Sequence, residues 1–280
     1  MARRRAQPLR HRNLVIGACL TGVLVLTALV SLIWTPYDAT AIDVAGKLRG
    51  PTPDHWLGTD RFGRDVLSMI MVGARNSIAV GVVAVGIGLA FGVPLGMWAA
   101  MQRGAVEEGL MRVTDLTFAF PAVLTAILIT ALAGPGAVNA ITAIGIFNIA
   151  VFSRVARGAA LQVLGRPFIL AASAIGRGTL DIAVRHVLPN MSAVLVVQAT
   201  IQFAIAILAE AGLSYLGLGV QPPAPSWGKM LNDAQTLIFL HPNQAVFPGA
   251  AIALSVLGLN LLGDGLRDVL DPRLRVWRAV

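Results

Sequence analysis

The sequence predicts an all-α polytopic membrane protein with six transmembrane helices, and three observations lead to this prediction. The chain is 56% hydrophobic and only 13% charged, with a mean hydropathy of +0.74, whereas soluble domains are about a quarter charged. Lysine and arginine are distributed unevenly among the segments that join its apolar stretches. Those stretches are each close to the ~20 residues that a helix needs to cross the hydrocarbon region. They are residues 14–34, 76–101, 114–133, 137–155, 191–213 and 245–263.

The first apolar stretch, residues 14–34, has the position of a signal peptide. The segment Ala39-Thr40-Ala41 resembles a cleavage site, and cleavage there would give a mature chain that starts near Ile42. The stretch is, however, longer than the ~7–15 apolar residues of a typical signal peptide. We therefore expect a retained first helix, with cleavage as the alternative.

The basic residues give the orientation of the chain. With the N-terminus inside, sixteen lysines and arginines lie in cytoplasmic segments and six lie in external ones, as the positive-inside rule requires. Both termini are therefore expected to be cytoplasmic. The predicted organisation is a cytoplasmic tail (1–13), the first span (14–34), an external segment (35–75), a core of five further spans (76–265) that includes a cytoplasmic loop (156–190) and an external loop (214–244), and a cytoplasmic tail (266–280).

Composition excludes several classes of function. The net charge of +8 comes from arginines that flank apolar stretches, which is typical of lipid contacts and not of nucleic-acid binding. The single cysteine, Cys19, excludes disulfides within the chain. The four histidines are not spaced for one helical face, so we expect no metal site. We also expect no catalytic residues, because no cluster of His, Asp or Glu lies at one depth.

The chain also lacks the phosphate-binding loop of an ATPase. That loop needs Gly-x-x-x-x-Gly-Lys followed by Ser or Thr. Lys47 has Ala41 at the first glycine position, and Lys229 has Pro223 there. Neither lysine is followed by Ser or Thr. Any ATP that drives this protein is therefore hydrolysed by another chain.

The loop 156–190 is too long for a simple turn between helices. It reads as two short helices, 167–175 and 179–187, separated at Gly176-Arg177-Gly178, because glycine supplies the positive φ that ends a helix. We expect Thr179 to cap the second helix and Pro189 to stop it. Asp181 lies in the first turn, where it favours the helix dipole. The exposed apolar residues beside this turn suit docking into a groove of another protein: Phe168, Ile169 and Leu170.

This loop resembles a known motif. Residues 168–190, FILAASAIGRGTLDIAVRHVLPN, are similar to the cytoplasmic coupling motif of binding-protein-dependent ABC importer permeases. Leu170 stands where the family motif has a glutamate that helps to hold the ATPase subunit, so docking here is expected to depend more on apolar packing. The matching residues are Ala171, Ala172, Gly176, His186, Leu188, Pro189 and Asn190.

Three further segments, 55–77, 209–231 and 247–273, resemble the dipeptide, oligopeptide and nickel permease group, and within it the second, shorter permease of the pair. The resemblance implies the fold of a type I ABC importer permease and a location in the bacterial cytoplasmic (inner) membrane. It also implies a homologous second permease, two ATPase subunits that bind ATP and Mg, and an external substrate-binding protein as partners, with no cofactor in this chain. The implied ATPase-coupling residues are Phe168, Ile169, Leu170, Ala171, Ala172, Gly176, Thr179, Arg185, His186 and Pro189.

A second set of residues is predicted to dock the binding protein or to form a gate: Trp56, Asp60, Arg64, Asp65, Glu210 and Trp227. The two tryptophans are equally consistent with membrane-interface anchors. Glu210 is either a gate residue or a structural hydrogen-bonding residue, and both readings stay open. Asp115, near another span end, is expected to pair with Arg112 one turn earlier.

The sequence-based expectation for the cargo is di- or oligopeptides, with nickel or a nickel chelate as the alternative, because the same external segments occur in both groups. A secondary transporter or channel that works without ATP is the alternative of another class. That alternative requires polar residues in the middle of the spans, and such residues are scarce.

Overall fold

The computed structural model describes residues 6–270, and within this range it is helical, without named β-strands. The helices are numbered in chain order. They are α1 (Ala6–Ile33), α2 (Val66–Ile87), α3 (Val93–Gln102), α4 (Gly104–Ala119), α5 (Ala122–Ala133), α6 (Ala137–Leu164), α7 (Pro167–Ala174), α8 (Thr179–Ile182), α9 (Leu188–Tyr215), α10 (Trp227–Ala234) and α11 (Asn243–Leu270).

Five helical segments of the described chain are long and apolar enough to cross a membrane: Arg12–Ile33, Val66–Gln102, Ala137–Leu164, Thr179–Tyr215 and Asn243–Leu270. The third predicted span, 114–133, is broken into α4 and α5, which are bent by 84°. The break has a local cause, because Phe120 is extended (φ −100°, ψ 132°) before Pro121, as a residue before proline prefers. Six spans result if this bent pair counts as one.

Most predicted spans are shorter than the helices that contain them. The second begins at Val66 and not at residue 76, because Asp65 caps it by accepting a hydrogen bond from the Ser68 amide. The external segment 35–75 therefore loses its last ten residues to α2. The fourth span extends to Leu164, so the loop predicted at 156–190 is a connection of 165–178. The remaining long helices also extend beyond the apolar stretches, for example α11, which continues to Leu270.

Two of the prolines within continuous helical segments each follow a π-helical turn, whereas another, Pro248, lies inside α11. Pro94 follows a π-helical turn, Gly88–Gly92, and Pro189 follows another, Ala183–Val187. A wider turn rearranges the hydrogen bonds next to a residue that has no N–H to donate. The prediction that Pro189 stops the second short helix is therefore wrong: helical structure runs from Thr179 to Tyr215.

Glycine brings the spans close together, as the abundance of small residues predicts. A Cβ on Gly96 of α3 would overlap the carbonyl oxygen of Ser153 on α6. A Cβ on Gly17 of α1 would overlap the backbone at Leu262 of α11. Helix α9 packs against α2, α6 and α11, whereas α1 packs mainly against α11 and α2 at the edge of the bundle.

One end of the bundle carries a folded cap, which we define as residues 35–65 together with residues 216–242. Long-range hydrogen bonds join the two parts to α2 and α11. Asn76 donates to the carbonyl oxygen of Pro225 at 2.8 Å, and Gln244 donates to that of Thr59 at 2.8 Å. The connection 165–178 lies at the opposite end, since the 28 residues of α9 separate the two.

The terminal residues 1–5 and 271–280 lie outside the described residues. They include parts of the predicted cytoplasmic tails, 1–13 and 266–280, and several of the arginines on which the orientation depends. The described part of the N-terminal tail is helical from Ala6.

Candidate functional site

The connection 165–178 is built around one short helix and one left-handed residue. Arg166 is extended and Pro167 begins α7, as its fixed φ favours. Gly176 has φ +82°, and the Arg177 amide donates to the Ala172 carbonyl at 3.2 Å, which is the hydrogen bond of a helix ending at a left-handed glycine. The turn predicted at Gly176 is confirmed.

Two of the predicted coupling residues point into the bundle. Ile169 and Ala172 are buried against a cluster that includes Val163, Ile182 and Val187. They hold α7 on the bundle, so their side chains are not exposed as predicted for Ile169. Leu170 and Ala171, between them in the sequence, are exposed.

Exposed apolar side chains lie on this anchored helix and on the residues that follow it. We call them the apolar surface. Leu170, the residue in the place of the motif glutamate, is 67% exposed. The members of the apolar surface are Phe168, Leu170, Ile175, Leu180 and Val184.

Charges next to the apolar surface are predominantly positive. Asp181 bridges Arg177, at 2.6 Å, and Arg185, at 2.8 Å, so its carboxylate is already paired within the chain. Thr179 does not cap α8 as predicted: Gly178 is the N-cap, and no side chain caps the helix. Asp181 lies in the first turn, as predicted.

The residues that close the motif stabilise the junction with α9. The Asn190 side chain donates to the His186 carbonyl oxygen at 2.8 Å. It supplies a donor in a turn where Pro189 has no backbone N–H. The His186 ring lies 6.4 Å from the Phe168 ring, between centroids. The coupling residues Gly176, Arg185, His186 and Pro189 therefore lie together on one continuous structure from α7 to α9.

In the cap, three of the predicted docking residues form internal hydrogen bonds. Asp60 accepts from the Arg64 side chain, with 2.7 Å between Nε and Oδ2, and from the Phe62 amide at 2.8 Å. Asp65 accepts from Ser68 as the cap of α2, and its Oδ1 lies 2.9 Å from Nδ1 of His55. These side chains fix the loop, and Asp60 and Asp65 are buried.

Asp233 was missed by sequence reasoning, although it connects both parts of the cap. It contacts Arg61 at 2.8 Å, Lys229 at 2.9 Å and Arg64 at 3.8 Å. Only the i,i+4 spacing to Lys229 was visible in the sequence. The two arginines are about 170 positions away along the chain, so pattern alone did not bring them together.

The two predicted tryptophans, Trp56 and Trp227, differ in exposure. Trp56 is 67% exposed and its indole donates to the Pro53 carbonyl oxygen. Trp227 is buried against Gly73 of α2 and donates to the Ile70 carbonyl oxygen at 3.1 Å. The expectation that Trp227 contacts another protein or anchors in the interface is wrong for its side chain, which packs in the core.

Glu210 is fully buried near the cap end of α9. Its carboxylate accepts from Ser214 at 2.7 Å and from Ser77 on α2 at 3.2 Å. Ser214 also accepts from the Val220 amide at 3.1 Å. Of the two readings of Glu210, the structure supports the structural hydrogen bond, because the side chain joins α2, α9 and the following turn.

The partner predicted for Asp115 is wrong. Arg112 pairs with Glu108 at 2.7 Å, and Asp115 pairs with Arg154 of α6. Arg157, also on α6, pairs with Glu107. These pairs tie α4 to α6. Among the described residues, no group of three or more His, Cys, Asp or Glu is arranged to hold a metal ion.

A multi-span helical bundle with a broken span, a folded cap and an anchored connecting helix at the opposite end is the architecture of a membrane permease. Comparison with known proteins identifies the family: residues 92–276 match the model for "Binding-protein-dependent transport system inner membrane component". The chain belongs to this family, which sets aside the ATP-independent alternative.

The chain is 42% identical to the glutathione transport system permease protein GsiD of Escherichia coli O6:K15:H31, over 95% of this chain and 88% of the relative. It is 40% identical to the dipeptide transport system permease protein DppC of Alkalihalophilus pseudofirmus, with the same coverage. A solved structure of the MetNI methionine ABC transporter, in an inward-facing conformation, has a TM-score of 0.60 with this chain. Its sequence is 17% identical, and the match covers 75% of this chain and 95% of that one. This last likeness concerns the fold alone.

Proposed function

We propose that this chain is the permease subunit of an ABC importer that moves di- or oligopeptides across the cytoplasmic membrane. The similarity to glutathione and dipeptide permeases supports a peptide cargo. In this proposal, both termini are cytoplasmic, the cap is external, and the connection 165–178 is cytoplasmic. Two ATPase subunits bind ATP and Mg, and a second permease completes the pathway.

The observation that carries the proposal is the apolar surface beside Gly176. Leu170, Ile175 and Leu180 are 67%, 75% and 77% exposed, in a segment anchored by the buried Ile169. Exposed apolar groups on a short rigid helix are suited to a hydrophobic groove of a partner. The partner is the ATPase subunit, and movement at this surface reaches the span directly because helical structure continues from Thr179 to Tyr215.

The charges define the rim of the partner's groove. Arg166 is exposed, and Arg177 and Arg185 have side chains that are 39% and 69% exposed. The Asp181 carboxylate already forms ion pairs with Arg177 and Arg185. An apolar groove with an acidic rim therefore complements this chain, whereas the family motif presents a carboxylate at the position of Leu170.

At the external end, the cap is the surface for the loaded binding protein. The exposed Trp56 is its contact residue, while Asp60, Arg64 and Asp65 preserve the shape of the loop through their internal hydrogen bonds. This assignment divides the predicted docking set into one surface residue, three residues that position it, and two buried residues, Glu210 and Trp227, that contact no partner through their side chains.

Peptide uptake tests the cargo. Cells that express the complete transporter should accumulate a radiolabelled dipeptide, and vesicles should do so only with ATP. Deletion of this chain should abolish uptake. Uptake of nickel in place of the dipeptide, or dipeptide uptake without ATP, would contradict the proposal.

Cysteine labelling tests the orientation. In a Cys19→Ser background, Ser173→Cys places a thiol on the exposed part of α7, and Ile42→Cys places one in the cap. A membrane-impermeant maleimide should label the second variant in intact cells and the first only after permeabilisation. The reverse pattern would invert the topology and remove the coupling role.

A further inference from the structure

A cavity of about 680 Å³ lies where the first span meets the cap. Its walls come from the end of α1, the following residues, one face of α2 and the proline-rich part of the cap. Residues that matter for its chemistry are Trp34, Tyr37, Asp38, Val72, Arg75 and Pro225. None of the functions described above uses this cavity.

Arg75 is the cation of the cavity, and among the described residues it forms no ion pair with a carboxylate. Its Nη1 donates a long hydrogen bond, 3.5 Å, to the Ser31 carbonyl oxygen. The guanidinium carries five N–H donors, and the side chain is partly buried. Arg61 and Arg64 of the cap both pair with aspartates. A partly desolvated cation without a counter-charge favours an anionic ligand group.

Asp38 supplies a negative charge to the same cavity. Its carboxylate accepts from the Thr40 amide at 2.8 Å and from the Thr40 hydroxyl at 2.7 Å. These bonds lower the pKa of Asp38, so the group is ionised at neutral pH. The described ion pairs do not include one between Asp38 and Arg75, so the cavity presents separate positive and negative groups.

The position of the cavity favours a lipid over a soluble ligand. It adjoins α1 at the edge of the bundle, where Leu29, Leu32 and Ile33 are 53%, 61% and 93% exposed. Such side chains adjoin acyl chains in a membrane. Trp34 and Tyr37, at the rim, are exposed aromatic residues at the level where headgroups begin.

We propose that this cavity binds the headgroup of a zwitterionic phospholipid, with the phosphate at Arg75 and the ammonium at Asp38. The acyl chains run along the exposed apolar side of α1. The inference rests on the membrane placement of the chain and not on its cargo or its ATPase contact. In the topology proposed above, the lipid belongs to the outer leaflet.

Lipid titration of the purified full-length chain, followed by native mass spectrometry, tests the proposal. Phosphatidylethanolamine has both charges, whereas phosphatidylglycerol lacks the ammonium. We expect wild type to bind phosphatidylethanolamine more tightly than phosphatidylglycerol. Arg75→Gln should weaken binding of both lipids by about tenfold, since a charge-assisted contact is lost. Asp38→Asn should remove the preference between the lipids.

Lys47→Gln is the matched control, because Lys47 is an exposed cap cation that does not line the cavity. Arg75→Lys retains the charge and should bind phosphatidylethanolamine more tightly than Arg75→Gln, which separates loss of the site from misfolding. Equal lipid affinity in Arg75→Gln and Lys47→Gln would overturn the proposal. Displacement of the lipid by excess alanyl-alanine would also overturn it, in favour of a peptide site.

Discussion

Glu210 of α9 and Ser77 of α2 meet inside the bundle, with 3.2 Å between the carboxylate and the hydroxyl oxygens, and both side chains are fully buried. The pair fixes the cap end of α9 against α2. Because Ser214 shares the same carboxylate, a single side chain satisfies two hydroxyl groups.

Replacing Glu210 tests whether it is structural. Glu210→Ala leaves both serines without this acceptor and should reduce stability by about 1–3 kcal/mol, seen as a lower unfolding temperature of the purified chain. Glu210→Gln keeps an acceptor and should lose less. The control is Glu108→Ala, whose exposed pair with Arg112 is expected to contribute little. Full stability of Glu210→Gln combined with abolished uptake would instead favour a gate.

The conformation of Gly176 yields a second prediction. Gly176→Ala should cost about 1–2 kcal/mol locally, because φ is +82° and a side chain disfavours that region. No atom lies within 4 Å of the added Cβ, so any effect is conformational. The measurement is copurification of the ATPase subunits and ATP-dependent uptake, both of which should fall.

Gly178→Ala is the control for this change. Gly178 has φ −69°, which any residue adopts, and its Cβ would also meet open space. Its uptake should equal that of wild type. Equal uptake in the two variants would show that the left-handed turn has no part in coupling.

Alanine substitutions at two glycines of the second span should change the stability of the protein in opposite directions. Gly86→Ala introduces a Cβ into open space, so it should stabilise the helix by up to about 1 kcal/mol. Gly96→Ala drives a Cβ into the Ser153 carbonyl oxygen and should destabilise the contact between α3 and α6. Unfolding temperatures in a fixed detergent measure both changes, and a shift of the same sign in both would contradict the close approach.

If the apolar surface holds the ATPase subunits, their retention should depend on apolar side chains and not on salt concentration. Leu170→Glu restores the residue of the family motif but places a charge in an apolar contact, so retention of the ATPase subunits should decrease. Leu180→Ser should act in the same way. Ile42→Ser, in the cap, is the control with a similarly exposed side chain. Retention by wild type should survive high salt, which screens ion pairs and not apolar packing. Salt-induced release would indicate that the arginines dominate.

Sequence patterns predicted the features that depend on composition or on a single residue. The apolar stretches located the spans, and Gly176 located a turn. Pro189 shows the limit of this reasoning, because its effect on a helix depends on a π turn that the sequence does not reveal. The start of α2 was misplaced because Asp65 was read as a surface residue and not as a helix cap.

Burial was harder to predict than secondary structure. Trp227 and Ile169 were expected on surfaces, and both pack inside the bundle. Neighbours decide such cases: Gly73 leaves the space that Trp227 occupies. The partners of Asp115 and Asp233 were missed for the same reason: Arg154 lies on α6, and Arg61 and Arg64 lie in the cap, far from Asp233 in the sequence.

The unbroken helical run from Thr179 to Tyr215 has 37 residues, which corresponds to about 55 Å at ~1.5 Å per residue. The hydrocarbon layer is only about 30 Å thick. Roughly 25 Å of this rod must therefore project into water or headgroups, shared between its two ends. A partner subunit that moves the projecting start of this segment works clear of the lipid. The π turn at Ala183–Val187 and Pro189 lie near that start, so the displacement passes through them before it enters the part of the helix that crosses the membrane.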